Sequence, residues 1–208
     1  MPTFVSSTDI ANMALSHLGA RSIESFDDQG AEEAQCRIWY DYSRRMALEA
    51  HDWNFARRRL TMALHGDTIS TTSSDPLAGV WAYRYQYPAD CVAARKIQNS
   101  NAPPDDATPF EVETNLDGTE KTILTDEEDA VLVYTRDQKN TDMFSALFVL
   151  ALSHLLAHHM AFALTGKVGI KQDQMRLYQA VLPSATAASA NESVSSPPRD
   201  ADWIRDRA

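Results

Sequence analysis

The stretch that most constrains this chain is residues 144–164, an apolar run interrupted by Ser153, His154, His158 and His159. A helix that is apolar around most of its circumference must be covered on several sides, so the remaining elements have to wrap it. Its Ala-rich composition and scattered polar residues suit burial among other helices better than lipid, and no membrane span is expected.

Thr8 and Asp9 read as N-caps of a short amphipathic helix in which Ile10, Met13, Ala14 and Leu18 recur at helical spacing and Gly19 supplies the stop. A second helix is expected over residues 31–51, with Cys36, Trp39, Met46, Ala50 and Trp53 near one face. Glu32 and Glu33 lead it and Arg44 and Arg45 follow, as the helix dipole prefers. Residues 55–64 fit either a continued helix or a strand, and the Ser/Thr-rich residues 68–75 a loop. Residues 81–87 alternate aromatic with other side chains up to Pro88. Residues 92–98, 110–114, 121–125 and 130–135 are short strand-like runs split by Pro103-Pro104 and Asp117-Gly118. The apolar helix then occupies 142–165, and a last helix runs from about 172 to 181, where Pro183 must end or kink it. The pattern predicts a mainly α fold: a helical bundle from residues 1–65 and 142–183, a small antiparallel β insertion over 66–141, and an extended C-terminal tail over 184–208.

The net charge of -10 is concentrated between residues 66 and 143 and argues against a surface that grips DNA phosphates, which takes clustered Lys and Arg. The N-terminus has neither the basic lead nor the apolar run of a secretory signal, so synthesis and use in the cytoplasm are expected. Cys36 and Cys91 are too few and too far apart for a disulfide framework or a metal knuckle and read as buried free thiols.

Chemistry is sparse. His154 and His158, one helical turn apart, could ligate a metal, but the general-base Glu of a zincin is missing after the first His, which favours a helix-interface pair. No nucleophile motif accompanies His17, His51 or His65, and no glycine loop has the P-loop frame. Arg57-Arg58-Arg59 beside Trp53 and Phe55 could contact nucleic acid, yet more often such arginines pair with neighbours or a subunit partner. Residues 126–129, Asp-Glu-Glu-Asp, lack the ligand spacing of a calcium loop and read as a hairpin turn. No catalytic residue, cofactor or metal is assigned, and an enzyme is not expected.

Several phrases occur in a telling order: Ala14-Leu15-Ser16-His17-Leu18-Gly19, Ser25-Phe26-Asp27-Asp28, Ala34-Gln35-Cys36, Tyr40-Asp41, Arg44-Arg45 and Trp53-Asn54-Phe55-Ala56. Tyr85-Gln86-Tyr87-Pro88-Ala89-Asp90-Cys91 follows, then Leu132 to Tyr134 and Phe148-Val149-Leu150-Ala151-Leu152. Together, from about residue 8 to 192, these resemble the phage head-to-tail adaptor family, which includes tail tubular protein A of short-tailed phages and adaptors of siphophages and gene transfer agents. The resemblance implies a helical bundle with a β excursion and a structural virion protein of the neck. It implies a ring homo-oligomer, typically of twelve copies, that binds the portal protein and a tail, nozzle or stopper protein. DNA would pass through the ring without specific binding and with no membrane involved. Pro183 departs from the family's continuous last helix.

A ring closed head to tail needs two unlike side faces, and aromatic and arginine residues are the usual hot spots, so Trp53, Phe55, Arg57, Arg58 and Tyr85 are the expected subunit interface. An acidic central region would suit a channel wall past which DNA slides during ejection. Trp203 and Ile204, with Pro197 and Pro198 before them, form an apolar anchor in the tail that would dock on the portal. The alternatives are another neck component, a β-rich stopper or tail terminator, or a metal-dependent virion enzyme built on His154 and His158.

Overall fold

The computed structural model describes residues 5–69, 76–98 and 108–192. Helix α1 (Ser7–Leu18) opens on a capping box: the Ser6 hydroxyl accepts from the Asp9 amide, and the Asp9 carboxylate accepts from the Ser6 amide at 2.9 Å. The true cap thus lies just before the expected Thr8 and Asp9, because Asp9 serves as the third helical residue. Gly19 closes the helix at φ 66, a left-handed conformation that a side chain would strain.

Helix α2 (Ala31–Glu49) follows, and a 3-10 turn, Asn54–Ala56, leads into strand β1 (Arg57–Thr61). The ambiguous 55–64 stretch therefore resolves mainly as strand. Next come β2 (Tyr83–Gln86), β3 (Cys91–Gln98), β4 (Glu111–Thr114), β5 (Lys121–Thr125) and β6 (Val131–Arg136). They form two three-stranded antiparallel sheets, ordered β1-β6-β3 and β2-β5-β4. Among the described strands only β4 and β5 make a local hairpin, with Gly118 at φ 69 and the Asn115 side chain accepting from the amides of Thr119 and Glu120. Residues 126–129 are not the expected hairpin turn. They carry the chain from the second sheet to the first, with Asp129 at φ 52 and the Tyr85 hydroxyl donating to the Glu127 carbonyl at 2.9 Å.

This overturns the mainly α expectation. With 47% helix and 20% strand among the described residues the fold is α+β, and the strands build a core of their own from Tyr85, Ile97, Ile123, Leu132 and Tyr134. Short strand-like runs, taken singly, resemble a decoration on a bundle. Their pairing is non-local, β1 with β6 for example, and periodicity within a run carries no trace of it.

Two arginines bind the sheets to the helices. Arg95 on β3 donates through Nη2 to the carbonyls of Leu48, Glu49 and His51, at 3.3, 2.8 and 2.7 Å, and so caps the C-terminal end of α2. Arg44 on α2, only 2% exposed, donates to Asp137 and to the Gln138 carbonyl just past β6, and to Asp41 on its own helix.

Helix α3 (Ala146–Thr165) starts at the N-cap Ser145, after a 3-10 turn at Thr141–Met143, rather than at 142. It is long and apolar enough to cross a membrane by length and composition, and it packs against α1, α2 and helix α4 (Val168–Asn191), with Ala151, Leu152, Leu155 and Leu156 buried.

Pro183 does not end α4, and residues 184–191 are helix rather than extended tail. Proline within a helix costs roughly 3 kcal/mol or more. Here tertiary contacts oppose that cost: Ala185 and Ser189 are buried, the Asn54 amide donates to Ser189 Oγ at 3.2 Å, and Asn54 Nδ2 donates to the Ser189 carbonyl. Residues 193–208, including Pro197, Pro198, Trp203 and Ile204, lie outside the described residues.

Candidate functional site

The inner side of α2 buries Cys36, Ser43, Arg44, Ala47 and Leu48. On its outer side Ile38, Tyr42 and Met46, four residues apart, are 60%, 55% and 40% exposed. Residues at i, i+4 and i+8 share a helix face, so these three form one apolar stripe, with Arg37, Asp41 and Arg45 on an adjacent one. Scattered exposed apolar residues are ordinary; a continuous stripe marks a contact surface. Sequence reasoning missed it, and it placed Met46 on the inner face. The available signal was a second apolar repeat at four-residue spacing beside the first.

The expected interface residues are placed differently. Trp53 is fully buried, donating its indole N–H to the Ala47 carbonyl at 2.9 Å and meeting Phe148 edge-on at 5.0 Å. Phe55 packs beside it, against Phe144 and Phe148. Tyr85 is buried in the β core. Trp53 and Tyr85 are therefore core residues with no surface to offer a neighbour, a correction to the expected interface. Arg57 pairs with Asp52 at 2.9 Å, and exposed Arg58 pairs with Asp90 at 3.0 Å. Trp53, Phe55, Arg57 and Arg58 do lie together at the α2–β1 junction, whereas Tyr85 belongs to the other sheet.

Asp90 is a junction in the Pro88-Ala89-Asp90-Cys91 corner: it also accepts from the Tyr134 hydroxyl at 2.8 Å. Burial, and then that bond to Asp90, push Tyr134 up to about 12.

The α3 histidines face three different helices. His154 stacks on His17 of α1 at 4.2 Å, and its Nδ1 donates to Gln174 Oε1 of α4 at 2.8 Å. His158 Nδ1 donates to the Lys171 carbonyl of α4, also at 2.8 Å. His159 stacks on Trp39 of α2 at 4.9 Å, with its buried Nε2 lacking a hydrogen-bond partner among the described residues. Among the described residues no group of three or more His, Cys, Asp or Glu side chains is placed to hold a metal ion. The imidazoles act instead as the polar clamps of an otherwise apolar helix.

Burial favours the neutral form of His159 and of His17. Burial, then the neighbouring His158 and Lys171, hold His159 down at about 4, and burial with His154 also lowers His17. An unfolded histidine titrates near 6.5, so the stabilisation is complete above about pH 6.5 and is lost as pH falls toward about 4. With a discount for the part-exposed ring, the chain is expected to lose about 1–2 kcal/mol between pH 7.5 and pH 5 through His159. Urea unfolding at both pH values checks this. His159→Phe, which keeps the stack on Trp39, should flatten the dependence; an unchanged slope would refute the assignment.

Neither thiol is activated: burial and the carboxylates of Glu33 and Glu32 push Cys36 up to about 11, and burial raises Cys91. Cys91 lines an open cavity of about 490 Å³ with Arg45, Tyr87, Glu120 and Lys121, and no histidine is among the described residues of that wall. The geometry thus presents contact surfaces more clearly than reaction chemistry. No protein-family model matches this chain, and no curated protein matches it.

Proposed function

We propose that the chain is a structural adaptor of a tailed-phage or phage-like neck, one of a ring of copies that joins the portal to the tail and lets DNA pass. Two things support this: the ordered phrases that resemble those of the adaptor family across most of the chain, and the α2 stripe. The stripe carries the reading, because three large, partly exposed apolar side chains aligned on one helix offer a surface suited to cover by another protein. Portal and tail proteins are the partners of this reading, the virion neck is its location, and it calls for no cofactor and no enzymatic step.

The test is the mass of the purified chain, alone and mixed with its portal, by light scattering, with electron microscopy of the mixture. A ring on the portal is expected. Tyr42→Glu, which sets a charge in the middle of the stripe and gives up the edge-on contacts of the Tyr42 ring with Trp39 and His159, should weaken that association at least tenfold while lowering the stability of the isolated chain by about 1 kcal/mol at most. A Tyr42→Glu chain that assembles like the wild type removes the stripe from the interface. A neck stopper is the second reading, favoured by the two sheets, since such proteins are β-rich. It requires association with the tail side and none with the portal.

A further inference from the structure

Each sheet has an edge strand whose charged residues are of one sign, and the two signs are opposite. Arg57 and Arg58 of the first are already paired with Asp52 and Asp90, and Glu111 of the second accepts from the Trp81 indole, so Arg59 and Glu113 are the charges that face a neighbour. In the first sheet β1 pairs only with β6 among the described strands, and its sequence is Arg57-Arg58-Arg59-Leu60-Thr61. In the second, β4 pairs only with β5, and all four of its residues, Glu111-Val112-Glu113-Thr114, are exposed. The other two edges, β3 and β2, each make an isolated bridge, to Thr108 and Leu64 respectively. An open edge presents unpaired N–H and C=O groups and templates another strand unless something blocks it. Charge on an edge blocks an edge of like sign. Here β4 repels β4 and β1 repels β1, while each admits the other.

We propose that β1 of one copy adds to β4 of the next, antiparallel, so that a second copy of this chain is the occupant of both edges. The inference rests on the adaptor reading and names the contact that closes its ring. Side chains alternate faces along a strand, so Arg57, Arg59 and Thr61 share one face, and Glu111 and Glu113 share one face of β4. The register that sets Leu60 opposite the 43%-exposed Val112 also sets Arg59 opposite Glu113, with Glu111 diagonal to Arg59. Apolar residues then meet on one face and opposite charges on the other. Because β1 and β4 are different surfaces of one subunit, the contact is head to tail, the kind that generates rings rather than two-fold dimers. The opposed edge charges also exclude the two-fold pairings that would stop growth at a dimer.

Arg59 and Glu113 are both exposed, and among the described residues neither side chain has a bonded partner, so each can be changed with little effect on the fold. The experiment uses the full chain with its portal: wild type, Arg59→Glu, Glu113→Lys, and an equimolar mixture of the two variants, followed by light scattering and microscopy, with thermal unfolding of each chain as the folding control. Arg59→Glu and Glu113→Lys alone should each raise the concentration needed for assembly at least tenfold, because every contact then sets like charges against each other. In a ring where the two variants alternate, half of the contacts join the two unchanged edges and the other half join the two reversed ones. Opposite charges face each other at both kinds of contact, so mixing should restore rings. Wild-type assembly by each variant alone would overturn the edge pairing and leave the adaptor reading standing, as would a mixture that stays unassembled. A wild-type chain that never assembles, with or without portal, would overturn the adaptor reading and the edge pairing with it.

Discussion

Arg44→Met should destabilise the isolated chain by about 3–5 kcal/mol, the range expected when one partner of a buried ion pair is removed and the other is left behind. Arg44 is 2% exposed and lies in a nest of acceptors: the Asp137 carboxylate, the Gln138 carbonyl and Asp41. Asp41 is solvated and loses little when the arginine goes. Asp137 is largely buried, and its charge would then be uncompensated at the point where β6 leaves the sheet toward α3. Because the same guanidinium joins α2 to the end of β6, its loss loosens the seam between helices and sheets as well as one contact. The double variant Arg44→Met/Asp137→Leu, which removes both charges, should recover at least half of the loss, since a buried pair can be exchanged for apolar residues at little net cost. Urea unfolding of the two variants and the wild type measures this directly. A single-variant loss below about 1 kcal/mol would mean that Asp137 reaches water easily and that the pair is not a seam.

Arg44 also shows where the sequence was legible and where it was not. Its position late in α2 suggested a helix-dipole role, and nothing local announced that its partner lies some ninety positions further on. The same divide runs through the fold. Gly19 as a stop and the apolar run at 144–164 as a central helix were legible because a left-handed cap and a continuous apolar surface are properties of a few adjacent residues. The helix through Pro183 was not, because what opposes the proline is Asn54 bonded to Ser189 and the burial of Ala185, contacts between segments far apart in the chain. The two sheets were seen as strands but not as sheets: the alternation of Tyr83 and Tyr85 marks a strand, while its pairing with β5 rather than with its neighbour β3 leaves no periodic mark. For the contact surface the difficulty was different. Aromatic residues are enriched both at interfaces and in cores, so Trp53 and Tyr85 fitted either, and only burial separates the two.

Trp53→Ala is the substitution that turns this distinction into a measurement. At an interface the change would weaken association and leave the isolated subunit's stability within about 0.5 kcal/mol of the wild type. The structure places Trp53 in the helical core instead, 0% exposed, with its indole N–H on the Ala47 carbonyl and its ring against both Phe55 and Phe148. Truncating a buried Trp typically costs about 3–5 kcal/mol, and here it would also leave the Ala47 carbonyl without its donor at the end of α2, so a loss of about 4 kcal/mol is expected. Trp53→Phe separates the two contributions: it keeps most of the volume, omits the N–H, and should cost about 1–2 kcal/mol. Denaturant unfolding of the isolated chain decides the matter, with Tyr42→Glu as the reference for a surface change. If Trp53→Ala unfolds like the wild type while losing assembly, the residue belongs to an interface after all. If it unfolds about 4 kcal/mol more easily while Tyr42→Glu does not, the core is at Trp53 and the contact surface lies one face away, on the outer stripe of α2.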